Sequence, residues 1–253
     1  MKAKIWILIL FLLLIIGVVA CFIIQNNLYR FPENANRDIE AFAKENKLTY
    51  EDYPQSLIEL LERNPETKDF VLHYPLLSNQ EVSVDLSEYK NTEDVPLFLQ
   101  WDKQWGYMVY GEDIAGITAC GPLCLSMAAF YLTGDEAYSP DNMIRFAQVN
   151  DYCVPGSGSS WTLISEGGVK LGFDVTEIPL DKDRILRNLE VDNPIICVMG
   201  PGDFTTTGHF IVLSGLEDGM LRVNDPNSIE NSSKLWDYET IKDQIRNIWV
   251  IRK

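Results

Sequence analysis

The stretch Ala119-Cys120-Gly121-Pro122-Leu123-Cys124 opens an apolar run that closes at Thr133-Gly134. Proline is favoured at the first position of a helix, where its missing N–H would have no partner anyway, so Pro122 marks a helix start and Gly134 a C-terminal stop. Cys120 then stands at a helix entrance. Free N–H groups and the positive end of the helix dipole lower a thiol's pKa there and favour the thiolate. Cys124, one turn deeper, reads as core. A thiolate becomes a useful nucleophile only if the chain also supplies a base, a group that orients the base, and a donor for the oxyanion.

Downstream of Asn193 the apolar period changes from helical to extended. Pro194-Ile195-Ile196-Cys197-Val198-Met199 is a continuous apolar run, as expected of a strand buried on both faces, and Cys197 in it reads as an inert core thiol. His209-Phe210-Ile211-Val212-Leu213 and Met220-Leu221-Arg222-Val223-Asn224-Asp225 flank Glu217-Asp218-Gly219, a hairpin signal. A three-residue loop pairs Leu216 with Met220, so partner numbers sum to 436 and His209 lies diagonal to Asp225. Positions 209, 211 and 213 then share a face with 221, 223 and 225. A carboxylate beside an imidazole fixes its tautomer and steadies the imidazolium. Gln100, upstream, can present its amide beside the Cys120 N–H as an oxyanion donor.

Between these segments, Ser139-Pro140 opens a helix with Met143, Ile144 and Phe146 on one face. The loop Pro155–Ser160 leads into a further helix from Trp161 that stops by Gly172, and Asp181 caps a short helix through Leu189. A helix near Tyr238 to Arg246 and a strand at Ile248-Trp249-Val250-Ile251 finish the chain. Helices first and antiparallel strands after them is the α+β arrangement.

Of the 253 residues, the first thirty carry only Lys2, Lys4 and Arg30 as charges. The formal net charge is −16, which leaves −19 on the remainder. Such a field repels phosphate backbones, so nucleic acid is not expected as a partner. Ile5 to Ile24 is an unbroken apolar run of the length that crosses a bilayer as a helix, and the lysines before it keep the short tip 1–4 in the cytoplasm and the rest outside. An uncleaved anchor is the reading favoured. The alternatives are a cleaved signal peptide and a lipoprotein processed at Val18-Val19-Ala20-Cys21. Residues 25–94 form an acidic spacer with a helical extension. Its one clear helix starts near Tyr53-Pro54-Gln55-Ser56, carries Leu57, Ile58, Leu60 and Leu61, and ends at Pro65. Phe70-Val71-Leu72-His73-Tyr74 reads as a short strand or extended arm, with His73 structural. The main domain covers 95–253.

Besides Cys21 the cysteines are Cys120, Cys124, Cys153 and Cys197, too sparse for a disulfide framework. His73 and His209 are the only histidines, with no Cys-x-x-Cys or His-x-x-x-His spacing, so neither a metal nor another cofactor is expected.

Gln100-Trp101-Asp102, Trp105-Gly106, Tyr110-Gly111, Cys120-Gly121-Pro122, Gly208-His209-Phe210 and Asn224-Asp225-Pro226 together resemble a known family. It comprises the papain-like cysteine peptidases of the bacteriocin-processing type, family C-thirty-nine, and the resemblance is to their stand-alone branch. It covers roughly residues 95 to 253. It implies a papain-like α+β fold with N-terminal helices packed on an antiparallel sheet. It further implies Cys120 as nucleophile, His209 as base, Asp225 as its orienter and Gln100 as oxyanion donor, acting on a peptide or protein substrate. No transporter domains follow in this chain, and Ala119 stands where an acidic residue commonly precedes the cysteine. Both features count against a double-glycine leader as the substrate. Other readings of the same fold are a catalytically silent surface binding module, and a thiol acyltransferase or cell-wall amidase.

Overall fold

The computed structural model describes residues 30–90 and 92–253. The chain divides into two compact units, Met1–Pro75 and Leu76–Lys253. The run Ile5 to Ile24 and Cys21 lie outside the described residues. Among those that are described, no helix is long and apolar enough to cross a membrane.

Among the described residues the first unit holds three α-helices: α1 (Arg30–Asn46), α2 (Gln55–Arg63) and α3 (Lys68–Leu77), the last ending just past the unit's boundary. In α2, Leu57, Ile58, Leu60 and Leu61 are buried and Asn64-Pro65 ends the helix, as the spacing predicts. Two features differ from expectation. Helix α1 lies in the stretch read as spacer: Ala35, Ile39 and Ala43, four apart, are buried on one face, and the charged residues between them give the segment its polar, acidic appearance. Residues 70–74 are helical rather than extended. Phe70, Val71 and Leu72 are all buried there, and Pro75 falls three residues from the helix end, where it costs few backbone bonds. His73 is structural: its Nδ1 lies 2.8 Å from the Asp69 carbonyl and its ring meets Phe42 edge-on.

The second unit is α+β. Two short ribbons, β1 (Val109–Tyr110) with β2 (Asp113–Ile114) and β3 (Cys153–Val154) with β4 (Gly158–Ser159), precede a six-stranded antiparallel sheet of β5 (Asp174–Glu177), β6 (Ile195–Met199), β7 (His209–Glu217), β8 (Met220–Asn224), β9 (Leu235–Trp236) and β10 (Ile245–Arg252), in the order β5-β10-β6-β7-β8-β9. Every residue of β6 is buried, because both sheet faces are covered. One face, with Ile196, Val198, Phe210, Val212, Trp249 and Ile251, packs in a core shared with the central helix Cys120–Thr133. The other, with Ile195, Cys197, Ile211, Leu213 and Val250, packs with Ile185 and Leu189 of the helix Lys182–Leu189. Asp181 caps that helix through the Arg184 N–H.

The helix Cys120–Thr133 is buried at every position from Gly121 to Phe130, which marks it as a central element rather than a surface one. Cys120 is its first residue and Pro122 its third, two positions later than the proline rule predicts. Both places lie in the first turn, whose N–H groups have no intrahelical acceptor. Gly134 ends it with φ at 67°, its N–H bonded to the Phe130 carbonyl. The helix start is wedged against a two-residue strand, Gly158–Ser159. A Cβ at Gly121 would lie 2.8 Å from both Cβ and Oγ of Ser159 and 3.2 Å from Leu163 Cδ2. Ser159 cannot readily retreat, since its Oγ is 2.7 Å from the buried Tyr110 hydroxyl. Gly121→Ala is therefore expected to destabilise the unit by about 1–3 kcal/mol through overpacking, read as a fall in melting temperature, and an unchanged Tm would show that the contact yields.

The C-terminal segment also departs from expectation. The helix near Tyr238 stops at Ile241 and continues only as a short 3-10 turn, because β10 begins already at Ile245. Strand β5 was not foreseen; Asp174-Val175-Thr176-Glu177 offers one apolar residue and pairs as an edge with Trp249–Arg252.

Candidate active site

Cys120 is partly exposed at the helix entrance, while Gln100, His209 and Asp225 are buried. The hairpin brings the last two together. Its turn has two residues, not three: Asp218 and Gly219 have φ of 50° and 77°, and Glu217 pairs with Met220. That is the primed turn favoured by the Asp-Gly pair. A one-residue bulge at Ser214 then shifts the ladder, so that Leu213 faces Val223 and Val212 faces Asn224. Beyond the bulge the partners follow the register expected for a three-residue loop. His209 Nε2 lies 2.7 Å from Asp225 Oδ1.

With Nε2 engaged by the carboxylate, Nδ1 is the ring nitrogen left for Cys120, whose sulfur hydrogen-bonds the imidazole. The last rung between β7 and β8 is Val212–Asn224, so Phe210 lies past the end of β8. Its N–H points to the Cys120 sulfur, as does that of Gly121. Burial works against a charged sulfur. The His209 charge, its ring hydrogen bond and the two backbone N–H groups outweigh burial and hold the thiol below its ordinary range. For His209, burial again opposes the charge, but the Asp225 carboxylate and the Cys120 sulfur push its pKa up to about 10. The other described cysteines are free and behave oppositely: burial raises Cys124, Cys153 and Cys197.

Gln100 is fastened to this site at both ends. Its backbone N–H donates to the Pro226 carbonyl at 2.7 Å, directly after Asp225. Its Nε2 donates to the carbonyls of Gly116 at 3.0 Å and Ile117 at 3.3 Å, and its Oε1 is buried without a partner among the described residues. Gly116 and Ile117 stand four residues before Cys120 and Gly121. Their carbonyls are therefore the ones that would absorb the Cys120 and Gly121 N–H groups if the short helix Ala115–Thr118 ran on into the next. By occupying them, Gln100 favours keeping those two N–H groups for other work.

Two asparagines complete the surroundings: Asn224, which the sequence marks only as part of the strand and of the Asn-Asp-Pro match, and Asn231, which it does not mark at all. The Asn224 amide donates to the carbonyls of Val95 and Pro96, each at 2.9 Å, tying the start of the unit to β8. Asn231 Nδ2 donates to Asp225 Oδ2 at 2.9 Å. Among the described residues no group of three or more His, Cys, Asp or Glu side chains is placed to hold a metal.

The model of the Peptidase C39 like family matches residues 92–253. The chain belongs to that family. Among solved structures, the chain is similar to the peptidase domain of Streptococcus ComA, a bifunctional ABC transporter involved in a quorum-sensing pathway. The identity is 19%, over 62% of this chain and 98% of that one, with a TM-score of 0.43. It is also similar to a C39-like peptidase from Bacillus anthracis, at 13% identity over 63% of this chain and 95% of that one, with a TM-score of 0.38. No curated protein matches. The family match falls on the second unit, whose architecture is α+β with helices on an antiparallel sheet.

Proposed function

We propose that the chain is a papain-like cysteine peptidase that hydrolyses a peptide or amide bond through Cys120, His209 and Asp225, with Gln100 at the oxyanion site. The observation that carries this reading is the Asp225 carboxylate 2.7 Å from His209 Nε2, with the imidazole holding the Cys120 thiol below its ordinary range, in a member of a peptidase family. The Cys120 thiolate attacks the substrate carbonyl. The Cys120 N–H stabilises the oxyanion, joined by Gln100 Nε2 once its longer bond to Ile117 is released. His209 Nδ1–H then protonates the leaving amine and, as neutral imidazole, takes a proton from the water that releases the acyl group. Asp225 holds the ring through Nε2 in both states. Ile5 to Ile24 would tether this domain outside the membrane, with a peptide or protein as substrate.

Alkylation tests the pairing without knowledge of the substrate. A thiol held down by an imidazolium reacts below the free value of about 8.5, so iodoacetamide near neutral pH should modify Cys120 ahead of Cys124, Cys153 and Cys197. The sign of the pH dependence follows from the two shifts: the thiolate–imidazolium pair exists above the lowered thiol pKa and below the raised imidazole pKa. Reaction should hold steady across neutral pH and fall as acid protonates the sulfur. His209→Ala should remove the preference. Equal labelling of the four thiols in the wild type would sink the assignment.

A further inference from the structure

The Asp225 carboxylate is held by more than the histidine. Oδ1 accepts from His209 Nε2 at 2.7 Å and from the Asn227 backbone N–H at 2.9 Å, while Oδ2 accepts from Asn231 Nδ2 at 2.9 Å. A carboxylate held at one oxygen can still rotate about its Cβ–Cγ bond. Held at both, its plane is set, and with it the line from Oδ1 to the imidazole. Asn231 and its neighbour Ser232 are themselves anchored. The Asn231 N–H donates to Ser228 Oγ at 3.1 Å, its carbonyl accepts from Trp236 Nε1 at 2.9 Å, and Ser232 accepts the Asp225 N–H on its hydroxyl at 2.9 Å. The helical turn Ile229–Ser232 thus curls back onto the aspartate that precedes it.

We infer that Asn231 is a positioning residue, whose amide fixes the plane of the Asp225 carboxylate and so aligns His209 with the Cys120 sulfur. The inference rests on the peptidase reading of those three residues. Among the described residues, the titratable groups that act on Asp225 and the Cys120 sulfur are His209 from β7, the Cys124 thiol from the central helix and the Tyr110 hydroxyl, and burial keeps the last two neutral. Loss of the Asn231 amide leaves the imidazolium a less well-directed partner, so the sulfur should become harder to ionise.

The test uses the full chain with Asn231→Leu, which keeps the volume without the donor, and Asn231→Ala. Melting temperature is followed alongside the pH profile of Cys120 alkylation by iodoacetamide. The expected result is a midpoint moved up by about half to one pH unit, and so a three- to tenfold slower reaction on the acid side. The rate on the alkaline plateau should be nearly unchanged. A variant that still melts cooperatively but keeps the wild-type midpoint, or shows a lower one, overturns the positioning role while leaving the peptidase reading intact. If Asn231→Leu fails to fold, Asn231→Ala decides in the same way. A wild type that shows no selective Cys120 alkylation overturns both.

Discussion

Cys120→Ala is expected to lower hydrolysis of a responsive fluorogenic peptide amide by on the order of 10⁴-fold or more, to the background set by binding and the remaining donors. It should leave the fold intact. Cys120 is the first residue of its helix and is partly exposed, and the substitution removes only the sulfur, so little packing is lost. Among the described residues no other thiol can stand in: Cys124 and Cys197 are fully buried, and burial raises both, as it does Cys153. The converse substitution makes the contrast visible. Cys124→Ala, one turn along the same helix, removes a buried side chain and should cost roughly 1 kcal/mol of stability, the low end of core truncations, with turnover per folded molecule largely kept. Comparable residual activity in the two variants would mean that Cys120 is not the nucleophile.

How far the site can be read from the chain alone depends on how local each determinant is. The Cys120 helix entrance is marked by small residues, a proline and a terminal glycine, all within one segment. The His209–Asp225 meeting was reached through a register containing two compensating errors: the turn is one residue shorter than expected and the bulge at Ser214 restores the count. Either one-residue shift alone would turn every side chain to the other face, and parity survives because the two cancel. Asn231 lay beyond this reasoning. It reaches Asp225 only after a turn capped by Ser228, and no periodic pattern announces which way a short polar helix curls. Strand β5 escapes for a related reason: it is an edge strand with a single apolar residue, too few to impose a period. The Gln100 carbonyl contacts were equally hidden, since they depend on a break between two helices that are nearly continuous in sequence.

Gln100→Ala should separate turnover from alkylation. Hydrolysis passes through a tetrahedral oxyanion, and loss of one donor at such a site costs on the order of 10²–10³ in rate. Here two donors are at stake. The amide itself is removed, and the Gly116 and Ile117 carbonyls it occupied become available to the Cys120 and Gly121 N–H groups four residues on. Alkylation by iodoacetamide is displacement at a saturated carbon and develops no oxyanion, so above the thiol's midpoint its rate should stay within about twofold of wild type, since only the thiolate is required. The midpoint itself should rise modestly as the Gly121 N–H turns from the sulfur toward Ile117. A large loss of hydrolysis with little loss of alkylation places Gln100 at the oxyanion. Equal losses in both reactions would show instead that its contribution is to hold the thiol in place, through the backbone immediately before Cys120.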